Sequence, residues 1–188
     1  MPDSDMPAVL NRYDRELGKT LRTHLSARPS LAHVLASAAR ALSPVFRILV
    51  AILILWRPTR MRGLRALAAA VIAALLAKWL RDEIARPRPG MRTEGGLPSR
   101  HAAAAVAIAS VVADRRRGAG LPMAIITAVG LIGRISTGEH DPGDVIAGAL
   151  LGRGVAGLVV RFGACCAKRR RPRAVGSGPA GRRTTPRV

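Results

Sequence analysis

The stretch RISTGEHDPGD, Arg134 to Asp144, decides how the rest of the chain is read. It opens with an arginine, places His140 six residues on and Asp144 four after that, with Glu139 and Asp141 in the same turn. On its own it reads as a solvated loop. Its neighbours change that reading, because apolar blocks flank it on both sides, Leu121–Ile135 before and Val145–Val160 after.

At 188 residues the chain has the length of one domain. Hydrophobic residues make up 49% and mean hydropathy is +0.19, yet net charge is +20 and the pI is near 11.9. Those values coexist only where apolar and basic residues are segregated, and here they are. Lysine occurs only at Lys19, Lys78 and Lys168, so the charge is nearly all arginine, clustered between the apolar blocks and at the two ends. Nucleic-acid binding would account for the charge, but aromatic residues at 3% leave few stacking platforms for bases. Charge segregated between apolar segments points instead to a membrane protein that follows the positive-inside rule. The adjacent Cys165 and Cys166 give neither a disulfide framework nor metal-ligand spacing.

Residues 1–30 form a polar N-terminal segment, in which DRELGKTLRTHL carries a weak amphipathic pattern and no signal-peptide core is visible. Leu31–Trp56 is apolar but broken at Ser43-Pro44, so it reads as one span or as a hairpin of two short ones. The basic turn Arg57–Arg65 follows, then the apolar block Ala66–Leu80, a Pro/Gly-rich loop over 82–98, and three further blocks, Ala102–Ala113, Leu121–Ile135 and Val145–Val160. From 164 to 188 the chain is a basic, Gly/Pro-rich tail with the composition of a disordered segment. The predicted fold is all-α: a polytopic transmembrane helix bundle of five or six spans over 31–163.

No block reaches about 18 uninterrupted apolar residues, and shorter runs also suit core helices of a soluble protein. Flanking arginines that snorkel to the interface extend them to spanning length. Two crossings before Arg57 would put every basic segment on one side of the membrane. A single crossing would move only the N-terminus across. Either way, the loops at 82–100 and 136–144 meet on one face.

Three pieces gather near that face: RDEIARPRP from Arg81, LPSRHAAAAVA from Leu97, and GRISTGEHDPGD from Gly133. Together they suit an anionic group. Ser99 is an N-cap for the alanine-rich helix after it, and Pro98 keeps that helix from starting earlier. A helix start presents free N–H groups and a positive dipole end to phosphate. His101 falls in the first turn, able to protonate a leaving oxygen. Arg86 and Arg88 stand on a proline-stiffened backbone, and Arg134 adds a third guanidinium fork. Asp144, four residues after His140, can hold the imidazole in one tautomer, which makes it a candidate nucleophile.

These pieces resemble the three signature motifs of the type 2 phosphatidic acid phosphatase (PAP2) superfamily, whose fold is a PAP2/haloperoxidase-like helical core. That pattern is a lysine, six residues, then Arg-Pro; Pro-Ser-Gly-His; and Ser-Arg, five residues, His, three residues, Asp. Arg88-Pro89 matches the first motif, Pro98, Ser99 and His101 the second, and Arg134, His140 and Asp144 the third. Arg81 stands at the lysine position, with Lys78 one turn earlier as a possible substitute; Arg100 stands for the glycine and Gly133 for the serine.

The resemblance implies that His140 attacks phosphorus, Asp144 orients it and His101 protonates the leaving group. It assigns phosphate binding to Arg81, Arg88, Ser99, the Arg100 N–H and Arg134, with Arg86 a further possible contact. It implies no cofactor and no metal, a lipid phosphate substrate (phosphatidate, phosphatidylglycerophosphate or a polyprenyl phosphate or diphosphate), membrane lipids as partners, no nucleic acid, and an active site on the extracytoplasmic face of the cell membrane. The alternative is a catalytically degenerate or non-enzymatic basic protein that binds membranes or nucleic acid. A soluble acid phosphatase or vanadium-dependent haloperoxidase shares the motifs but is usually longer and less apolar.

Overall fold

The computed structural model describes residues 6–84, 96–114 and 118–169, and among these it is all helical. The helices are α1 (Met6–Ser26), α2 (Pro29–Leu55), α3 (Arg60–Ile84), α4 (Arg100–Ala113), α5 (Gly120–Ser136) and α6 (Pro142–Arg169), with a 3-10 turn at Arg57–Thr59. Of the two readings of the stretch before Arg57, the single helix forms. Pro44 lies inside α2 without ending it. A proline there removes one backbone donor, a loss that membrane helices tolerate. α6 runs on to Arg169, so the first residues of the expected tail continue the helix; residues 170–188 lie outside the described residues.

The packing is built on small residues. Ala66, Ala69, Ala73 and Ala77 recur at three- and four-residue spacing on α3 and are fully buried. α4 is buried nearly all round, from Ala102 to Val112, and packs closely on both α3 and α6. On α6, Gly148 and Gly152 press on the backbone of α4: a Cβ at either would fall 2.4 or 2.2 Å from the carbonyl oxygens of Ser99 and Ala103. Small residues one turn apart let two helix backbones meet, the usual device for helix association in lipid.

Large apolar side chains point the other way. Leu75 is 62% exposed and Leu150 69%, and Ile52, Trp79, Ile125 and Phe162 are also exposed. A soluble protein would bury these and leave its small residues to the surface. Here the order is reversed. Three segments are long and apolar enough to cross a membrane: Pro29–Leu55, with mean hydropathy 2.0, and Arg57–Ile84 and Pro142–Cys165, each 1.7. α4 and α5 are shorter apolar helices. The outward apolar belt and these segments argue against the soluble reading.

The helices sort their ends. The close approach of Gly133 to Leu35 joins the end of α5 to the start of α2, while Arg65 Nη2 donates to the Gly163 carbonyl at 3.2 Å and joins the start of α3 to the end of α6. One end therefore carries Arg81, Ser99, His101 and the 134–144 stretch, and the other carries the basic 57–65 turn. Because α2 is continuous, α1 lies at the first end. The basic N-terminal segment thus shares a face with the site, as the single-crossing reading requires.

Candidate active site

Asp144 ties two distant parts of the sequence together. Its carbonyl accepts from the Ser99 N–H at 2.9 Å, so the start of α4 is fastened to the first turn of α6. Ser99 is fully buried, and its Oγ accepts from the Ala102 N–H at 3.4 Å, the N-cap expected from the sequence. The Leu97–Pro98 peptide bond before it is cis. Gly96 lies against the carboxylate of Asp144, where a Cβ would sit 2.7 Å from Oδ2.

The turn between α5 and α6 folds back onto the end of α5. The Arg134 carbonyl accepts from the Glu139 N–H at 3.1 Å and from the His140 N–H at 3.4 Å. Gly138 takes φ +72°, a left-handed value that favours glycine. His140 is thereby carried inward to 2% exposure, beside Asp141 and Asp144 at 1% each. His140 Nδ1 lies 3.5 Å from Asp144 Oδ2, an ion-pair distance slightly too long for a closed hydrogen bond. Asp144 Oδ2 also accepts from the Asp141 N–H at 3.2 Å. With Nδ1 turned to the carboxylate, Nε2 on the far side of the ring is the nitrogen left for chemistry.

Two guanidiniums at the same end of the bundle are also buried. Arg81 is 7% exposed; its Nε lies 3.7 Å from Asp82 Oδ1, and its Nη1 has no hydrogen-bond partner among the described residues. Arg134, also buried, pairs through Nη1 with Glu139 and donates through Nη2 to the Ala39 carbonyl at 3.2 Å and Ser43 Oγ at 3.4 Å. Its Nε is buried with no partner among the described residues. Buried unsatisfied guanidinium donors are costly, and an anion is what satisfies them.

His101 differs from His140. It is exposed, in the first turn of α4, and lies near Arg134 and His140. With Arg100 it lines a cavity of about 520 Å³ between α2, α3 and α4, which continues past Ser43, Phe46 and Arg47 to Ile108. Lys78 is exposed and pairs with Asp82 Oδ2 at 2.8 Å, so the inward position of that motif belongs to Arg81. Arg86 and Arg88 lie outside the described residues.

Gly133 has a packing reason. A Cβ there would fall 2.2 Å from the Leu35 carbonyl oxygen and 3.0 Å from the Ala39 Cβ. α5 meets α2 backbone to backbone at this point, and a serine does not fit. Sequence reading missed the contributions of α2 and α1. Ala39 and Ser43 hold Arg134, while Asp14 and Arg22 reach the 141–143 turn. No local pattern marks those residues, because their contacts depend on how often the chain crosses before Arg57.

A sequence profile of the PAP2 superfamily matches residues 62–165. No curated protein matches the chain by sequence. Among solved structures, the transmembrane PAP2 type phosphatidylglycerolphosphate phosphatase from Bacillus subtilis superposes with a TM-score of 0.72 at 24% identity, over 89% of this chain and 92% of that one. LpxE of Aquifex aeolicus superposes with a TM-score of 0.65 at 22% identity, over 76% of this chain and 93% of that one. The match covers the signature residues and the helices that carry them: the chain belongs to the PAP2 superfamily and is a membrane phosphatase of the PAP2 type.

Proposed function

We propose that the protein removes phosphate from a lipid phosphomonoester or diphosphate through a phosphohistidine at His140. One observation carries this reading: a buried His140–Asp144 pair at the end of the bundle that also buries two guanidiniums, whose Arg81 Nη1 and Arg134 Nε lack partners among the described residues. Phosphoryl transfer asks mainly for positioning and for cations around the equatorial oxygens, and these groups supply both.

In the first step His140 Nε2 attacks phosphorus and the bond from phosphorus to the lipid oxygen breaks. Partial burial and the Arg134 guanidinium disfavour the protonated form of His101 in the free protein; the anionic phosphate restores it, and His101 then gives its proton to the departing oxygen, while Asp144 stabilises the charge on the imidazole. In the second step His101 takes a proton from water, the water oxygen attacks phosphorus, the P–N bond breaks, and phosphate leaves. Arg81, Arg134, Arg88, Ser99 and the Arg100 N–H hold the oxygens throughout.

The cavity beside His101 supports a lipid substrate, because its walls turn apolar below Arg100 and toward Val50, Ala74 and Ile108. The two solved relatives add support, one of them a phosphatidylglycerolphosphate phosphatase. The basic 57–65 turn lies at the opposite end from the site, which by the positive-inside rule supports a site on the extracytoplasmic face.

The test is phosphate release in detergent, with chelator present, from phosphatidate, phosphatidylglycerophosphate and a polyprenyl diphosphate. Release from at least one of them, blocked by vanadate, is the expected result. Purified, folded protein that releases phosphate from none would overturn the reading.

A further inference from the structure

We propose that α1 is a positioning helix for the nucleophile turn, acting through Arg22, Asp14 and Asp141; the proposal rests on the phosphatase reading above. None of these residues is placed against the phosphate. They act on the chain segment that holds His140.

Two polar contacts fasten α1 to that segment. Asp14 Oδ1 accepts from the Gly143 N–H at 2.7 Å, at the start of α6. A free N–H in a first helical turn wants an acceptor, and a carboxylate there also meets the positive end of the helix dipole. Two turns along α1, Arg22 Nη1 lies 3.4 Å from Asp141 Oδ1. Asp14 and Arg22 are eight residues apart and so share one face of α1.

Two glycines make the approach possible. Gly18, midway between Asp14 and Arg22, sits where a Cβ would fall 2.7 Å from Asp141 Oδ1; a Cβ on Gly143 would fall 2.7 Å from Asp14 Oδ2. Either methyl group would push a carboxylate away. The helix is therefore fitted to this turn at three successive levels, Asp14, Gly18 and Arg22.

The link to chemistry runs through Asp141. It follows His140 directly, its N–H donates to the Asp144 carboxylate, and its own side chain is buried. Burial and the charges of Asp144 and Asp14 push its carboxyl above the usual range, while Arg22 pulls it back. Among the described residues, the groups facing it include Arg22 and Asp14 from α1, and His140 and Asp144 from its own turn and α6. Arg22 favours the ionised form of Asp141 and pins its carboxylate, which fixes the N–H that holds Asp144 toward His140. Without Arg22 the buried carboxylate loses one opposing charge, which favours uptake of a proton or a shift of the turn.

The experiment compares wild-type protein, Arg22→Ala, Arg22→Lys and the double variant Arg22→Ala/Asp141→Asn on the lipid phosphate that wild type hydrolyses. A small misplacement of a reacting nitrogen lowers turnover steeply, so Arg22→Ala should reduce kcat about tenfold with KM within about twofold. Because Arg22 lowers the Asp141 pKa, its loss should also move the acid limb of the kcat profile to higher pH. Arg22→Lys should recover most of kcat. The double variant should be no slower than Arg22→Ala, since it removes the charge that Arg22 serves. Unchanged kcat, a change confined to KM, or an unmoved acid limb would overturn the proposal. Should Arg22→Ala fail to fold, Arg22→Lys decides it: an Arg22→Lys variant that folds but keeps less than about a tenth of wild-type kcat overturns the pairing. Wild type inactive on every lipid phosphate sinks the phosphatase reading; active wild type matched by Arg22→Ala sinks only the positioning role of α1.

Discussion

The two histidines of the site sit in opposite surroundings. His140 is buried, held by a turn folded back on Arg134, and faced by a buried carboxylate. His101 is exposed at the wall of a cavity. The contrast matches the tasks proposed for them. A nucleophile gains from being fixed before substrate arrives, whereas an acid must meet a leaving oxygen that enters with each lipid. Removing His140 should therefore be the more general injury. His140→Ala is expected to bring phosphate release below about a thousandth of wild type on every substrate, since the step that it performs has no substitute. Full activity in that variant would end its assignment as nucleophile.

Asp144 sharpens the buried half of the comparison. Asp144→Asn keeps the shape but loses the charge that orients the ring and stabilises the imidazolium. A fall in kcat of about a hundredfold or more is expected, with the fold intact, by analogy with orienting carboxylates elsewhere. Circular dichroism and melting would verify the fold, and kinetics the loss. A fall of less than threefold would mean that the 3.5 Å contact in the structure does not tighten with substrate.

His101 tests the open half. General-acid help matters only when the leaving group needs a proton. His101→Ala should slow a lipid alkyl phosphate by about a hundredfold and an activated aryl phosphate far less. Equal losses on both would assign His101 to phosphate binding instead.

The same contrast explains what could be read from sequence. The signature spacing located His140, Asp144, Ser99 and Arg134, because short-range spacing on helix ends survives into the fold: Ser99 caps α4, and His140 and Asp144 meet at i and i+4. The alternation of apolar and basic segments showed an all-helical membrane protein. Crossing number was not legible, since Ser43-Pro44 carries the signal of a break and α2 runs straight through it. From that one ambiguity follow the hidden residues. Ala39, Ser43, Asp14 and Arg22 reach the site only when α2 crosses once and leaves α1 at the same end. Tertiary packing, not local pattern, decided these positions.

The last prediction sets two departures from the family signature side by side, one in each half. Gly133 replaces a serine behind the buried nucleophile, and Arg100 replaces a glycine at the open cavity. Family likeness alone expects that restoring either residue helps. Packing expects the two to differ. A serine at 133 drives its Cβ onto the Leu35 carbonyl, a backbone atom that no rotamer change can move aside. Gly133→Ser should lower stability by about 1–3 kcal/mol through overpacking, read as a lower melting temperature, and lower activity with it because Arg134 follows directly. Arg100 is half-buried at the cavity wall, in the first turn of a helix already capped by Ser99. Arg100→Gly should cost less than about 1 kcal/mol, the most that a glycine loses in a helix interior. If Gly133→Ser melts as high as wild type, α2 and α5 can part at this point. The buried half would then be softer than its contacts imply, and the rigid-nucleophile, open-acid contrast would lose its structural basis.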